Sequence, residues 1–147
     1  MNADPIAFDF FNEIGIIDQL AGTLLERALP SGLTRAQFAV LNHFVRLGHD
    51  ERSPAQLASA FQVTRPTMTS TLSRLARDAL VSIRDDPADG RAKRVSLTDK
   101  GRAAREQAMA AIGTLLPMID TMLDPGDIAA VLPVLRRLRI ALDAARD

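Results

Sequence analysis

The stretch Asp86 to Gly101, DPADGRAKRVSLTDKG, hangs three cations, Arg91, Lys93 and Arg94, just past a Pro/Asp/Gly turn. Slightly upstream, VTRPTMTSTLSRLARDAL gathers Thr64, Thr67, Thr69 and Ser70 with Arg65, Arg74 and Arg77. Guanidiniums and ammonium groups meet phosphate oxygens, short hydroxyls sit close to a sugar-phosphate backbone, and threonine methyls pack on thymine. The chemistry these residue types suit is polyanion recognition. Acid/base or nucleophilic chemistry has little to use, because the chain has no Cys, only His43 and His49, and neither a phosphate loop nor an H-E-x-x-H pattern. His49, Asp50 and Glu51 are successive in a loop and do not converge on one metal ion, so no metal or cofactor is expected.

The elements that position these residues follow from periodicity. Ile6 to Leu29 carries apolar residues at helical spacing and stops at Pro30 to Gly32. Thr34 with Gln37, and Ser53 with Gln56, each form a capping-box pattern, which starts a second helix ending at Gly48 and a short third one ending near Phe61 and Gln62. Pro54 suits the first position of that third helix. A fourth helix starts at Thr64. Met68, Leu72, Leu75 and Ala79 form its apolar stripe, and a projection at about 100° per residue puts Pro66, Thr67, Ser70, Arg74 and Arg77 opposite. Each Thr in this run costs up to about 0.7 kcal/mol of helix stability against Ala, so the outward face gives up propensity for its hydroxyls.

VSIR and RVSL alternate, with Val81 and Ile83 on one side and Val95 and Leu97 on the same side, which predicts a β-hairpin with a long tip. Thr98 caps a helix running towards Leu123 with a kink at Pro117. Asp124, Pro125 and Asp127 start a last one, which Pro133 bends or delays. The pattern is mainly α with a small β-hairpin, α-α-α-α-β-β-α-α, and no repeat interrupts it.

At 147 residues the chain suits one compact unit, and 47% hydrophobic with 24% charged residues is the composition of a folded protein. The formal net charge of +0 hides an asymmetry. Lys+Arg against Asp+Glu runs 4 to 7 over residues 1–60, 10 to 5 over 61–105 and 4 to 6 over 106–147. The basic middle coincides with the hydroxylic helix and the hairpin. Charges interrupt every apolar run, and the acidic N-terminus is unlike a signal peptide, so a cytoplasmic protein with no membrane partner is expected.

Two short helices, the second facing outward, followed directly by a hairpin, are the order of a winged helix-turn-helix, which sets its second helix in the DNA major groove. On that reading Pro66, Thr67 and Ser70 touch base edges, with Thr64 and Thr69 beside them. Arg65, Arg74 and Ser53 meet phosphates. Arg91 enters the minor groove from the hairpin tip, Lys93 adds charge, and Asp89 or Asp86 braces the Arg91 guanidinium.

Leu33 to Gly101 resembles the MarR family of bacterial transcriptional regulators. The most specific part is D-P-x-D-x-R-x-x-x-V-x-L-T-x-x-G, met by Asp86, Pro87, Asp89, Arg91, Val95, Leu97, Thr98 and Gly101. The fourth helix is similar to the family's Val-Ser-Arg-Pro-Thr run, with Ala79 where Gly is usual, which suggests a different helix exit. The resemblance implies a homodimer built by terminal helices, 6–29 and 117–145, around a DNA-binding region, 33–100. It also implies repression at a pseudo-palindromic operator of double-stranded DNA and release by a small, often aromatic effector. His43 and Phe44 are the candidates for touching such a ligand. The competing reading is a winged-helix module that binds protein, or a dimeric scaffold with a vestigial wing. Aligned cations on Arg65, Arg74 and Arg91 weigh against both.

Overall fold

The computed structural model describes residues 4–146. Along the chain come α1 (Ile6–Ala28), α2 (Arg35–Leu47), α3 (Pro54–Phe61), α4 (Arg65–Arg77), β1 (Val81–Asp85), β2 (Lys93–Leu97), α5 (Asp99–Gly113), α6 (Leu116–Met122) and α7 (Pro125–Ala144). They divide into two compact units, one up to Ile112 and one from Gly113 onward.

In the first unit the helix starts are those the capping residues dictate. Thr34 Oγ1 accepts from the Gln37 amide at 3.2 Å while Gln37 Oε1 accepts from the Thr34 amide at 2.8 Å. Ser53 and Gln56 repeat the exchange at 3.1 and 2.9 Å. Two orphan amides are satisfied at each start, worth about 1 kcal/mol per cap. Gly48 ends α2 at φ +63°, the left-handed exit that glycine takes without penalty.

The apolar stripes of α2, α3 and α4 meet the hairpin in one core. Leu41, Phe44, Leu57, Leu72, Leu75 and Val95 are fully buried there, and each large apolar side chain withdrawn from water contributes about 1.5–3 kcal/mol. A smaller cluster of Leu29, Phe38 and Ala108 ties the end of α1 to α2 and α5. β1 and β2 pair antiparallel with Val81 opposite Leu97 and Ile83 opposite Val95, which sets these four on one side of the hairpin as their alternation predicts. A third segment joins them. Arg52 forms a bridge to Val95, its amide donating to Val95 O at 2.9 Å and its carbonyl accepting at 2.8 Å.

The hairpin is fastened to α5 at one tight junction. Ala79 leaves α4 at φ +58°, in the left-handed region that glycine enters without penalty. Thr98 Oγ1 donates to Ala79 O and Leu80 O at 2.7 and 3.0 Å and accepts from the Gly101 amide at 2.9 Å. Gly101 passes so close that a Cβ there would lie 2.0 Å from Leu80 O.

The second unit corrects one expectation. Two helices were expected after the hairpin, and three are present, because Pro117 restarts the chain and does not merely kink it. Its ring would clash with the carbonyl four residues back, and it lacks an amide for that carbonyl. The helix therefore ends at Gly113, and Pro117 falls in the first turn of α6, where a missing amide costs nothing. Pro133 lies inside α7 without ending it.

Candidate nucleic-acid interface

The turn between α3 and α4 is short because Gln62 exits α3 in the left-handed region at φ +53°, with the Val63 amide bonded back to Ala58 O at 3.1 Å. Thr64 then caps α4, accepting from the Thr67 amide at 3.3 Å, and its hydroxyl lies 2.8 Å from that of Thr67. Burying Met68, Leu72 and Leu75 leaves Pro66, Thr67, Ser70, Arg74 and Arg77 exposed, together with Arg65 and Thr69. The face is the one the helical projection predicts. Ser53 accepts from the Gln56 amide through its oxygen lone pair, which leaves its hydroxyl proton able to donate.

At the hairpin tip two aspartates shape the backbone. Asp86 Oδ1 accepts from the Ala88 amide at 2.9 Å, and Asp89 Oδ1 from the Arg91 amide at 3.0 Å. Neither carboxylate braces the Arg91 guanidinium, which corrects that expectation: Asp86 turns its other oxygen to Arg94 Nε at 2.9 Å, and Asp89 holds the backbone of Arg91. The Ala88 amide, then Arg94, holds the Asp86 carboxyl below the usual carboxylate range. Lys93 is ion-paired with Asp85 and Arg84 with Glu51. The Glu51 hydrogen bond and charge push the Arg84 guanidinium further up.

These pairings sort the cations. Arg84, Lys93 and Arg94 each carry a carboxylate partner, Arg77 has Asp78 at 3.6 Å, and among the described residues the guanidiniums of Arg65, Arg74 and Arg91 have none. Three exposed guanidiniums without a carboxylate partner therefore remain on these elements, two on α4 and one on the hairpin tip.

The ligand candidates separate. Phe44 is 2% exposed and packs in the core. His43, half-buried, has its ring centroid 5.2 Å from Phe61 and 5.6 Å from His49. Burial, then the charges of His49, Arg46 and Arg52, keeps its imidazole below the ordinary value and so neutral at pH 7. His49 faces Arg52 Nη2 at 2.7 Å. Among the described residues no group of three His, Cys, Asp or Glu is placed to hold a metal ion, and no helix is long and apolar enough to cross a membrane. Sequence reasoning missed the Glu51–Arg84 pair and the Arg105 guanidinium on Asn42 Oδ1, 3.0 Å from Nη2. Both join residues far apart in sequence, and no local pattern announces them.

A helix, a tight turn, an outward hydroxylic and cationic helix and a hairpin carrying an uncompensated guanidinium define a winged helix-turn-helix protein. Comparison with known proteins agrees: the MarR family model matches residues 31–92. The chain is 31% identical over 107 residues to the HTH-type transcriptional repressor YetL of Bacillus subtilis (strain 168). That match takes in 72% of this chain and spans 64% of the relative's length. A mutant of MarR from E. coli, crystallised in complex with operator DNA, superposes with a TM-score of 0.76 at 25% identity, over 94% of this chain and 99% of that one. BpsR of Bordetella bronchiseptica, from a structural study of how 6-hydroxynicotinic acid regulates its DNA binding, gives a TM-score of 0.75 at 25% identity, over 89% and 98%. The chain is therefore similar to MarR family regulators over its winged helix-turn-helix region and, in fold, over most of its length.

Proposed function

We propose that this protein is a dimeric, sequence-specific DNA-binding transcriptional repressor that acts on a pseudo-palindromic operator in the cytoplasm and has no catalytic role. The observation that carries the reading is the sorting of cations: among the described residues Arg65 and Arg74 on α4 and Arg91 on the hairpin tip have no carboxylate partner, while the neighbouring basic residues are paired. Short Thr67 and Ser70 side chains suit a helix that approaches bases closely, and on this reading Arg91, on the hairpin tip, is the group that enters the adjacent minor groove. The likeness to a protein crystallised on operator DNA and to a named repressor supports the same assignment.

Dimerisation is supported by apolar exposure that a monomer rarely carries. Ile6, Phe8, Ile17 and Leu20 on α1 stand 86%, 59%, 58% and 64% exposed, and Leu116 and Met122 in the second unit 55% and 67%. A second copy of the chain covers these faces. The likeness to BpsR supports a small-molecule effector, with His43 as the polar candidate.

The test is alanine substitution of Arg91. Operator affinity falls by about 1–3 kcal/mol with the oligomeric state unchanged, while Lys93→Ala, whose ammonium already has Asp85, loses less. Equal losses at the two positions would sink the sorting argument.

A further inference from the structure

Glu51 is an acidic residue on the edge of a basic surface, where its charge opposes any polyanion. It directly precedes Arg52, whose backbone bridges to Val95 on one side of β2, while β1 lies on the other side. Through its ion pair with Arg84 on β1, Glu51 therefore reaches across the width of the sheet, from the segment that leads into Ser53 and α3 to the outer strand of the hairpin. The register adds a reason for the contact. Arg84 stands directly opposite Arg94, and like charges facing each other across a hairpin repel. Asp86 neutralises Arg94, and Glu51 neutralises Arg84.

We propose that Glu51, acting through Arg84, is a positioning residue that holds the hairpin at the angle from which Arg91 reaches DNA; this rests on the DNA-binding reading above. The side chains of Glu51 and Arg84 are 32% and 51% exposed, so the pair adds little to global stability. Its effect is directional. Without Glu51, Arg84 faces Arg94 and has only a share in the Asp86 carboxylate that Arg94 already holds, so the loop end of the hairpin shifts and the tip shifts with it.

Two effects of Glu51→Gln then oppose each other in sign. Removing a negative charge beside DNA raises affinity through bulk electrostatics, whereas losing the tether lowers it. The experiment measures binding of full-length wild type, Glu51→Gln, Arg91→Ala and the double variant to a duplex that the wild type selects from a random-sequence pool. Hydrogen exchange of the 81–97 amides is followed in the free proteins. The tether predicts about two- to fivefold weaker binding for Glu51→Gln, no further loss when Arg91 is already Ala, and faster exchange in the hairpin. Unchanged or tighter binding, or a full additional loss in the Arg91→Ala background, overturns it. If the wild type selects no sequence, the DNA-binding reading falls by itself. The exchange result alone then decides the tether: faster exchange keeps it, unchanged exchange removes it.

Discussion

Replacing Gly101 by Ala tests the junction that holds α5 against the hairpin. In most helices this change stabilises by about 1 kcal/mol, since Ala is the better helix former. Here the added Cβ lies 2.0 Å from Leu80 O and 2.8 Å from Leu97 Cδ1. A carbon and a carbonyl oxygen settle at about 3.3 Å or more, so the start of α5 must retreat by about 1.3 Å to bring the added Cβ, 2.0 Å from Leu80 O, out to contact distance. That movement stretches the Thr98 amide and hydroxyl bonds to Leu80 O, now 3.2 and 3.0 Å, beyond hydrogen-bonding range. Two lost hydrogen bonds at about 1 kcal/mol each and overpacking of about 1–3 kcal/mol exceed the helix gain, leaving a net loss of about 2–4 kcal/mol. For a chain of this size that lowers Tm by about 4–16 °C. Thermal unfolding of Gly101→Ala beside wild type at one fixed concentration reads the difference. A variant as stable as wild type would refute the close approach.

The opposite substitution applies at the exit of α4. Ala79 sits at φ +58°, which costs an L-residue about 1–2 kcal/mol, so Ala79→Gly raises stability by about 1 kcal/mol in urea unfolding. No gain would mean that the helix exit is not left-handed. His43 sets a pH dependence. Its folded imidazole binds a proton less readily than in the unfolded chain, so the unfolded state takes up more protons below about pH 6.5 and stability falls as the pH drops from there towards the folded value. His43→Phe removes this contribution, and its stability falls less than that of wild type between about pH 7.5 and 5.5. Equal losses would show that the imidazole is not disfavoured in its charged form.

Much of the interface is legible from local chemistry. Thr34 with Gln37 and Ser53 with Gln56 announce helix starts because capping acts over three residues, and the face of α4 follows from counting at about 100° per residue. Alternation in VSIR and RVSL gives the hairpin and the side its apolar residues share, while the pairing register comes from the fold. What escapes is non-local or competitive. Arg52 joins the sheet as a single bridged residue, too short to alternate. Asp86 had two guanidiniums within reach, and only the fold decides that it takes Arg94. Phe44 and His43 are neighbours on one helix, yet the core claims the apolar ring and leaves the imidazole half-buried. Pro117 was read as a kink because periodicity continues past it, whereas the break depends on which carbonyl its ring meets.

The most direct measurement is fluorescence anisotropy of the purified protein on DNA from upstream of its own gene and on a scrambled duplex of equal length, across a salt series. If the proposed dimer sets Arg65 and Arg74 of both copies on phosphates, four contacts at about 0.9 each give a log affinity that falls with log salt at a slope of about −3.6 or steeper. The regulator reading predicts that slope together with clear preference for the upstream duplex. Equal, weak binding to both duplexes, followed by no enrichment in a genome-wide binding selection, would contradict it.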